Sequence, residues 1–137
     1  MNPLEDGTDV AIDWTKARQV AAIATDVIPV VLQNADSGDV LFVGYANQAA
    51  VEATLDERIA VLWSTSRNEL WRKGATSGDV LRLVDVRVNC EQNSLLYRVV
   101  PEQGGVCHVR DESGATRAQC YYRELVDLTT LGFVSDA

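Results

Sequence analysis

All three cysteines of the chain, Cys90, Cys107 and Cys120, fall between Val88 and Cys120 together with its single histidine, His108. Thiolate sulfur is a donor zinc favours, and three thiolates leave the fourth tetrahedral position of the ion open to water. A histidine beside such an ion can move the proton of that water. Cys107 and His108 are adjacent, and neighbours in extended backbone diverge, so the two are not expected on one ion. The expectation is zinc on Cys90, Cys107 and Cys120, with His108 as the catalytic proton carrier. Three inert buried cysteines and a surface histidine are the plainer alternative, since a thiol becomes a ligand only where its surroundings favour the thiolate.

If the strand through Val86 continues past Asn89, Cys90 faces one way and Asn89, Glu91 and Asn93 the other. Sulfur suits zinc and oxygen suits magnesium. Only Glu91 of these three is charged, so a magnesium site here is expected to be weak. A second polar stretch, Trp63 to Gly78, gathers Trp63, Ser64, Ser66, Arg67, Trp71, Lys73, Thr76 and Ser77. Hydroxyls, guanidinium groups and the backbone N–H groups of Thr76-Ser77-Gly78 are donors to phosphate. A solvated loop with its tryptophans anchored in the core explains the same residues more simply when the stretch is taken alone.

The elements that must position these residues are mostly strands. Val27 to Gln33 is β-branched, and its Pro29 indicates an edge strand or a strand's beginning. The turn Asp36-Ser37-Gly38-Asp39 joins it to Val40–Tyr45 as a hairpin. A helix is expected after Asp13-Trp14-Thr15, through Ala17 to Ala24. Another is expected over Gln48 to Arg58, with Asn47 as its N-cap. Ile59–Trp63 is a third strand, and Val80–Asn89 with Ser94–Val100 a second hairpin around Glu91-Gln92-Asn93. Val109 to Gln119, polar and Gly-containing, is expected as a surface loop, and residues 1–12 as poorly ordered. The fold class is α+β, strand-rich, one domain over residues 1–137 with one or two helices.

The 137 residues suffice for one domain with a real core. A net charge of -8 works against a phosphate backbone, so general nucleic-acid binding is not expected, although a local Arg/Lys pocket can still take a small phosphorylated substrate. No apolar run reaches the roughly 18 residues of a membrane span. An odd cysteine count without an export signal at Met1–Asp9 indicates reduced thiols and a cytoplasmic location.

Trp63-Ser64, Ser66-Arg67, Leu70-Trp71, Lys73-Gly74, Thr76-Ser77-Gly78, Cys90, Gly105, Cys107-His108 and Cys120-Tyr121-Tyr122-Arg123, in this order, resemble the phosphoribosyl-AMP cyclohydrolase family of histidine biosynthesis. The similarity covers roughly Ile28 to Arg123. It implies an intertwined homodimer whose zinc sites are shared, the residue matching Cys90 coming from one chain and those matching Cys107 and Cys120 from the other. It also implies attack by zinc-activated water on carbon 6 of the adenine ring of phosphoribosyl-AMP, opening the ring between N1 and carbon 6. His108 matches the family's proton-shuttling histidine. Arg67, Thr76 and Ser77 match the region expected to hold phosphate and ribose.

The chain departs from the family in several places. The family pattern Asp-Cys-Asp-x-Asp, whose carboxylates bind magnesium, stands here as Asn89-Cys90-Glu91-Gln92-Asn93, with two negative charges removed. Thr65 replaces a common Arg, Ala75 replaces a usual Glu, and 12 residues separate Cys107 from Cys120 where the family has a handful. The cyclohydrolase reading therefore competes with a divergent zinc hydrolase or deaminase on another purine-like nucleotide. A non-catalytic dimer tied by zinc is the third reading. Structural zinc sites normally have four protein ligands, which disfavours it.

Overall fold

Alternating burial along Ile28–Asn34 (β1) sends Val30 and Leu32 into the core. In Leu95–Pro101 (β6), Tyr97 and Val99 do the same. The computed structural model describes residues 2–103 and 105–134. Its main sheet runs Val40–Ala46 (β2), β1, β6, Leu81–Val88 (β5), with β1 and β6 parallel and the outer pairs antiparallel. The hairpins expected at Asp36–Asp39 and at Glu91–Asn93 are both formed.

A separate hairpin, Val61–Ser64 (β3) with Glu69–Arg72 (β4), packs on β2 beside the helix Gln48–Glu57 (α3). Asn47 caps α3 as expected, its side-chain oxygen accepting from the Ala50 N–H at 2.9 Å. Arg58 ends the helix in the left-handed region at φ 59°. The fully buried Thr54 joins helix to hairpin: its Oγ1 accepts from the Val61 N–H at 3.0 Å and lies 2.8 Å from the Ala50 carbonyl. One core results, including Val30, Leu32, Phe42, Leu62, Leu81, Tyr97 and Val106.

The α+β architecture is as expected, with several corrections in detail. There are three helices among the described residues, Pro3–Asp6 (α1), Lys16–Ala21 (α2) and α3, not one or two. Pro29 does not mark an edge, because β1 lies between β2 and β6. It stands at the strand's beginning, one residue before pairing with β6 starts at Val30, where a missing N–H breaks no bond to that neighbour. The polar stretch after Ser64 contains β4, and Arg123–Leu125 (β7) pairs with Leu131–Phe133 (β8) beyond the last cysteine.

Residues 2–12 are built into the structure, not loose. A four-residue helix is too short to persist alone, and α1 is held from outside. The Tyr122 hydroxyl donates to the Glu5 carbonyl at 2.8 Å, and Arg123 donates to the Leu4 and Gly7 carbonyls at 2.7 and 2.9 Å. Leu131 N–H donates to the Thr8 carbonyl at 2.7 Å, and Val10 N–H to the Thr129 carbonyl at 3.1 Å. Among the described residues no helix is long and apolar enough to cross a membrane.

Candidate active site

Two main-chain hydrogen bonds bring Cys107 and Cys120 together from either end of the long segment between them. Cys107 N–H donates to the Arg117 carbonyl at 2.9 Å, folding the segment back on itself. Cys120 N–H donates to the Leu41 carbonyl at 2.8 Å, tying the second cysteine to the start of β2. Between these anchors lies a cavity of about 70 Å³ lined by Phe42, Trp71, Lys73, Val106, Cys107, His108 and Cys120. The segment is not wholly superficial: Val109 is buried, and the Arg117 guanidinium lies 4.2 Å from the centre of the Tyr122 ring.

The two thiols polarise one another. The Cys107 pKa is pushed down to about 6, chiefly by the hydrogen bond it receives from Cys120; burial opposes this, and the Val109 N–H, His108 and Lys73 assist. Cys120 is pushed up by the same hydrogen bond, with burial adding to it. The direction we assign is a thiolate at Cys107 steadied by a thiol at Cys120. Lys73 is only 9% exposed and gives the cavity a positive charge that favours thiolate on either sulfur. Trp71, tilted against Phe42 with ring centres 6.2 Å apart, forms an aromatic wall.

Of the remaining expected residues, Ser64, Ser66 and Arg67 cluster at the far end of the β3–β4 hairpin. Buried Ser64 accepts from the Arg67 N–H at 3.2 Å and lies 3.4 Å from the Ser66 hydroxyl. Trp63 donates its indole N–H to Asn68 at 3.1 Å, which closes this turn rather than facing the cysteines. Ser64 pairs with Glu69, and Lys73 lies four residues further, or ~13 Å along an extended strand. Thr76 and Ser77 are exposed in the turn that follows Lys73. Gly74 opens that turn at φ +81°, where an added Cβ would meet the Asp79 backbone at 2.2 Å.

Sequence reasoning missed two residues. Lys16, from α2, donates to the Thr65 hydroxyl at 3.1 Å and brings a second cation to the Ser64–Arg67 turn. Glu5, from α1, places its carboxylate on His108. Neither has a local signal, since each depends on where a distant segment packs.

Cys90 stands apart. The strand stops at Val88, and Cys90 is exposed in the turn between β5 and β6. No group of three or more His, Cys, Asp or Glu side chains suited to a metal occurs among the described residues. Around Cys90 the amides satisfy each other. Asn89 donates to the Asn93 side-chain oxygen at 2.7 Å and accepts from the N–H groups of Asn93 and Ser94 at 2.9 and 3.0 Å. Asn93 in turn donates to Glu91 at 3.2 Å. These oxygens already have donors within the turn, so the set does not suit a hard cation. Two polarised sulfurs beside a cavity do suit zinc.

Comparison with known proteins bears on this arrangement. Residues 42–122, which run from within β2 through β6 and include all three cysteines, match the family described as phosphoribosyl-AMP cyclohydrolase. Phosphoribosyl-AMP cyclohydrolase of Archaeoglobus fulgidus is 41% identical over 99 residues, which are 72% of this chain and 85% of that protein. The Haloarcula marismortui protein of the same name is 43% identical over 107 residues, 78% of this chain and 82% of that protein. Histidine biosynthesis bifunctional protein HisIE of Deinococcus radiodurans is 50% identical over 101 residues, 74% of this chain but only 43% of that longer protein. The match takes in more than half the chain and the whole of the cavity wall, and the chain belongs to the phosphoribosyl-AMP cyclohydrolase family.

Proposed function

We propose that this protein hydrolyses phosphoribosyl-AMP in histidine biosynthesis, adding water across the N1–C6 bond of the adenine ring. Oxygen goes to carbon 6, which becomes a carboxamide carbon, and N1 leaves with a proton. The observation that carries this reading is the single cavity shared by Cys107, Cys120, Lys73, Trp71 and His108, inside the segment matched to the family. Cys107 and Cys120 would hold zinc from one chain, with the partner subunit's Cys90 completing the set. Bound there, zinc would supply a Lewis acid that brings the ionisation of water into the neutral range.

The chain's own groups do the rest. His108, adjacent to Cys107 but turned to solvent, takes a proton from the attacking water and can return it at N1. Trp71 offers a flat wall to the purine. Arg67, Ser64, Ser66 and Lys16 at one end of the β3–β4 hairpin, and Lys73, Thr76 and Ser77 at the other, supply donors for phosphate and ribose. A magnesium ion has no fitting place in the Asn89–Glu91–Asn93 turn, and no step is assigned to it.

The homodimer belongs to the same proposal. It is supported by the exposure of Cys90, which needs a second chain to meet two further sulfurs. It is also supported by a groove beside the Cys90 turn, lined by Val31, Val88, Leu95 and Leu96 with Arg87, Asn89 and Ser94. The free thiols fit a reducing, cytoplasmic setting. The deciding experiment is an ultraviolet assay of ring opening by the zinc-loaded protein on phosphoribosyl-AMP, with AMP and adenosine alongside. Turnover of phosphoribosyl-AMP alone is expected. Preference for either of the others would replace this reading with a deaminase-like one, and inactivity on all three would leave a zinc-tied dimer.

A further inference from the structure

His108 is the only histidine of the chain, and its ring is 81% exposed, yet it is not free. Its Nε2 lies 2.5 Å from Oε2 of Glu5, a residue 103 positions earlier and outside the segment matched to the family. Glu5 is itself fixed. Its carbonyl accepts from Tyr122, its neighbours' carbonyls from Arg123, and α1 closes with the Gly7 N–H on the Pro3 carbonyl at 3.0 Å. Tyr122 and Arg123 follow Cys120 by two and three residues, so the anchors of Glu5 belong to the same segment as the cysteine site.

We propose that Glu5 is a positioning residue for His108. Its carboxylate accepts the Nε2 proton, fixes the tautomer and orientation of the ring, and leaves the Nδ1 lone pair to take the proton of the attacking water. A carboxylate on one imidazole nitrogen decides which tautomer the ring adopts and so which nitrogen remains a base. Among the described residues no side chain hydrogen-bonds Nδ1. Residue 108 also lines the cavity with Cys107 and Cys120, so the contact lies beside the proposed site. This inference rests on the cyclohydrolase reading for its kinetic consequence, though not for the contact itself.

The test uses zinc-loaded full-length protein with ¹⁵N-labelled histidine, in which one imidazole gives all the ring signals. The wild type should show an Nε2 proton protected by the carboxylate, and Glu5→Ala should lose that proton signal to exchange with water. Turnover of Glu5→Ala should fall about 10- to 100-fold in kcat, with KM unchanged. Glu5→Gln, which keeps an acceptor oxygen, should recover most of the loss. Tyr122→Phe, which frees the Glu5 carbonyl but leaves the carboxylate, should show the same changes in weaker form. Identical ring signals in wild type and Glu5→Ala overturn the proposal. So does faster turnover in Glu5→Ala, which would make the contact inhibitory, or a loss confined to KM. Ring signals that respond to Glu5 in a protein inactive on phosphoribosyl-AMP would instead sink the cyclohydrolase reading and leave the coupling standing.

Discussion

The two places where this chain presents cysteine differ in almost every physical respect. Cys107 is buried in a cluster with Val109 and Tyr122, is polarised by its hydrogen bond with Cys120, and lines a cavity. Cys90 sits exposed on a turn whose polar atoms are already paired with one another. The first region gathers two sulfurs and the buried Lys73 around one cavity, the set to which the proposed zinc is assigned. The second is a finished turn that carries a sulfur outward. The difference teaches that the two regions need separate tests: the proposed zinc site uses the buried pair of one chain and the exposed Cys90 of another.

The largest expected effect comes from the buried pair. Cys107→Ser or Cys120→Ser should remove zinc, read by elemental analysis, and lower ring-opening turnover on the order of 10³-fold, the scale of several kcal/mol of lost Lewis-acid stabilisation. Cys90→Ser should do as much, despite its exposure. An active, zinc-replete Cys90→Ser protein would break the comparison outright. Mixing unfolded Cys90→Ser with Cys120→Ser and refolding them together should restore activity that neither has alone, because one site of a mixed dimer would then be intact. No recovery would place all three sulfurs in one chain.

His108→Ala should keep its zinc and lose about 10²-fold or more in kcat, the range of a lost proton carrier; loss of zinc would make His108 a ligand. At the Cys90 turn, Asn89→Ala should lower stability by about 1 kcal/mol in urea denaturation, a modest cost for bonds that face solvent. Smallest of all, added Mg²⁺ should leave turnover of the zinc-loaded protein unchanged. A strict magnesium requirement would mean that the Asn89–Asn93 pair opens to admit a cation.

What the sequence made legible follows the range of the forces involved. The β1–β2 and β5–β6 hairpins and the Asn47 cap are local, set by period-two burial, a Gly-containing turn and a side-chain oxygen three residues from its donor. The pattern of Cys90, Cys107-His108 and Cys120 was likewise legible as a set of donors. The strand β4 was hidden because only Trp71 of Glu69–Arg72 is less than exposed, so no alternation showed. The helix α1 was hidden because four residues are too few to persist alone, even with Pro3 at the start and Glu5 and Asp6 bonded back to the Asn2 cap. The Glu5–His108 and Lys16–Thr65 contacts join positions 103 and 49 residues apart, and no local pattern encodes them. The separation of Cys90 from the other two sulfurs was foreshadowed only by the resemblance.

The anchor of Cys120 on Leu41 also sets an order of events. Leu41 belongs to the local β1–β2 hairpin, but Cys120 lies 79 positions further on and beyond β6, which reaches β1 by parallel pairing across more than sixty residues. Long loops of this kind are slow to close, whereas hairpins form within microseconds. In a refolding experiment the far-ultraviolet signal of the sheet should therefore rise before a fluorescent chelator reports capture of the proposed zinc, a stage in which the sheet stands but Cys120 has not yet docked.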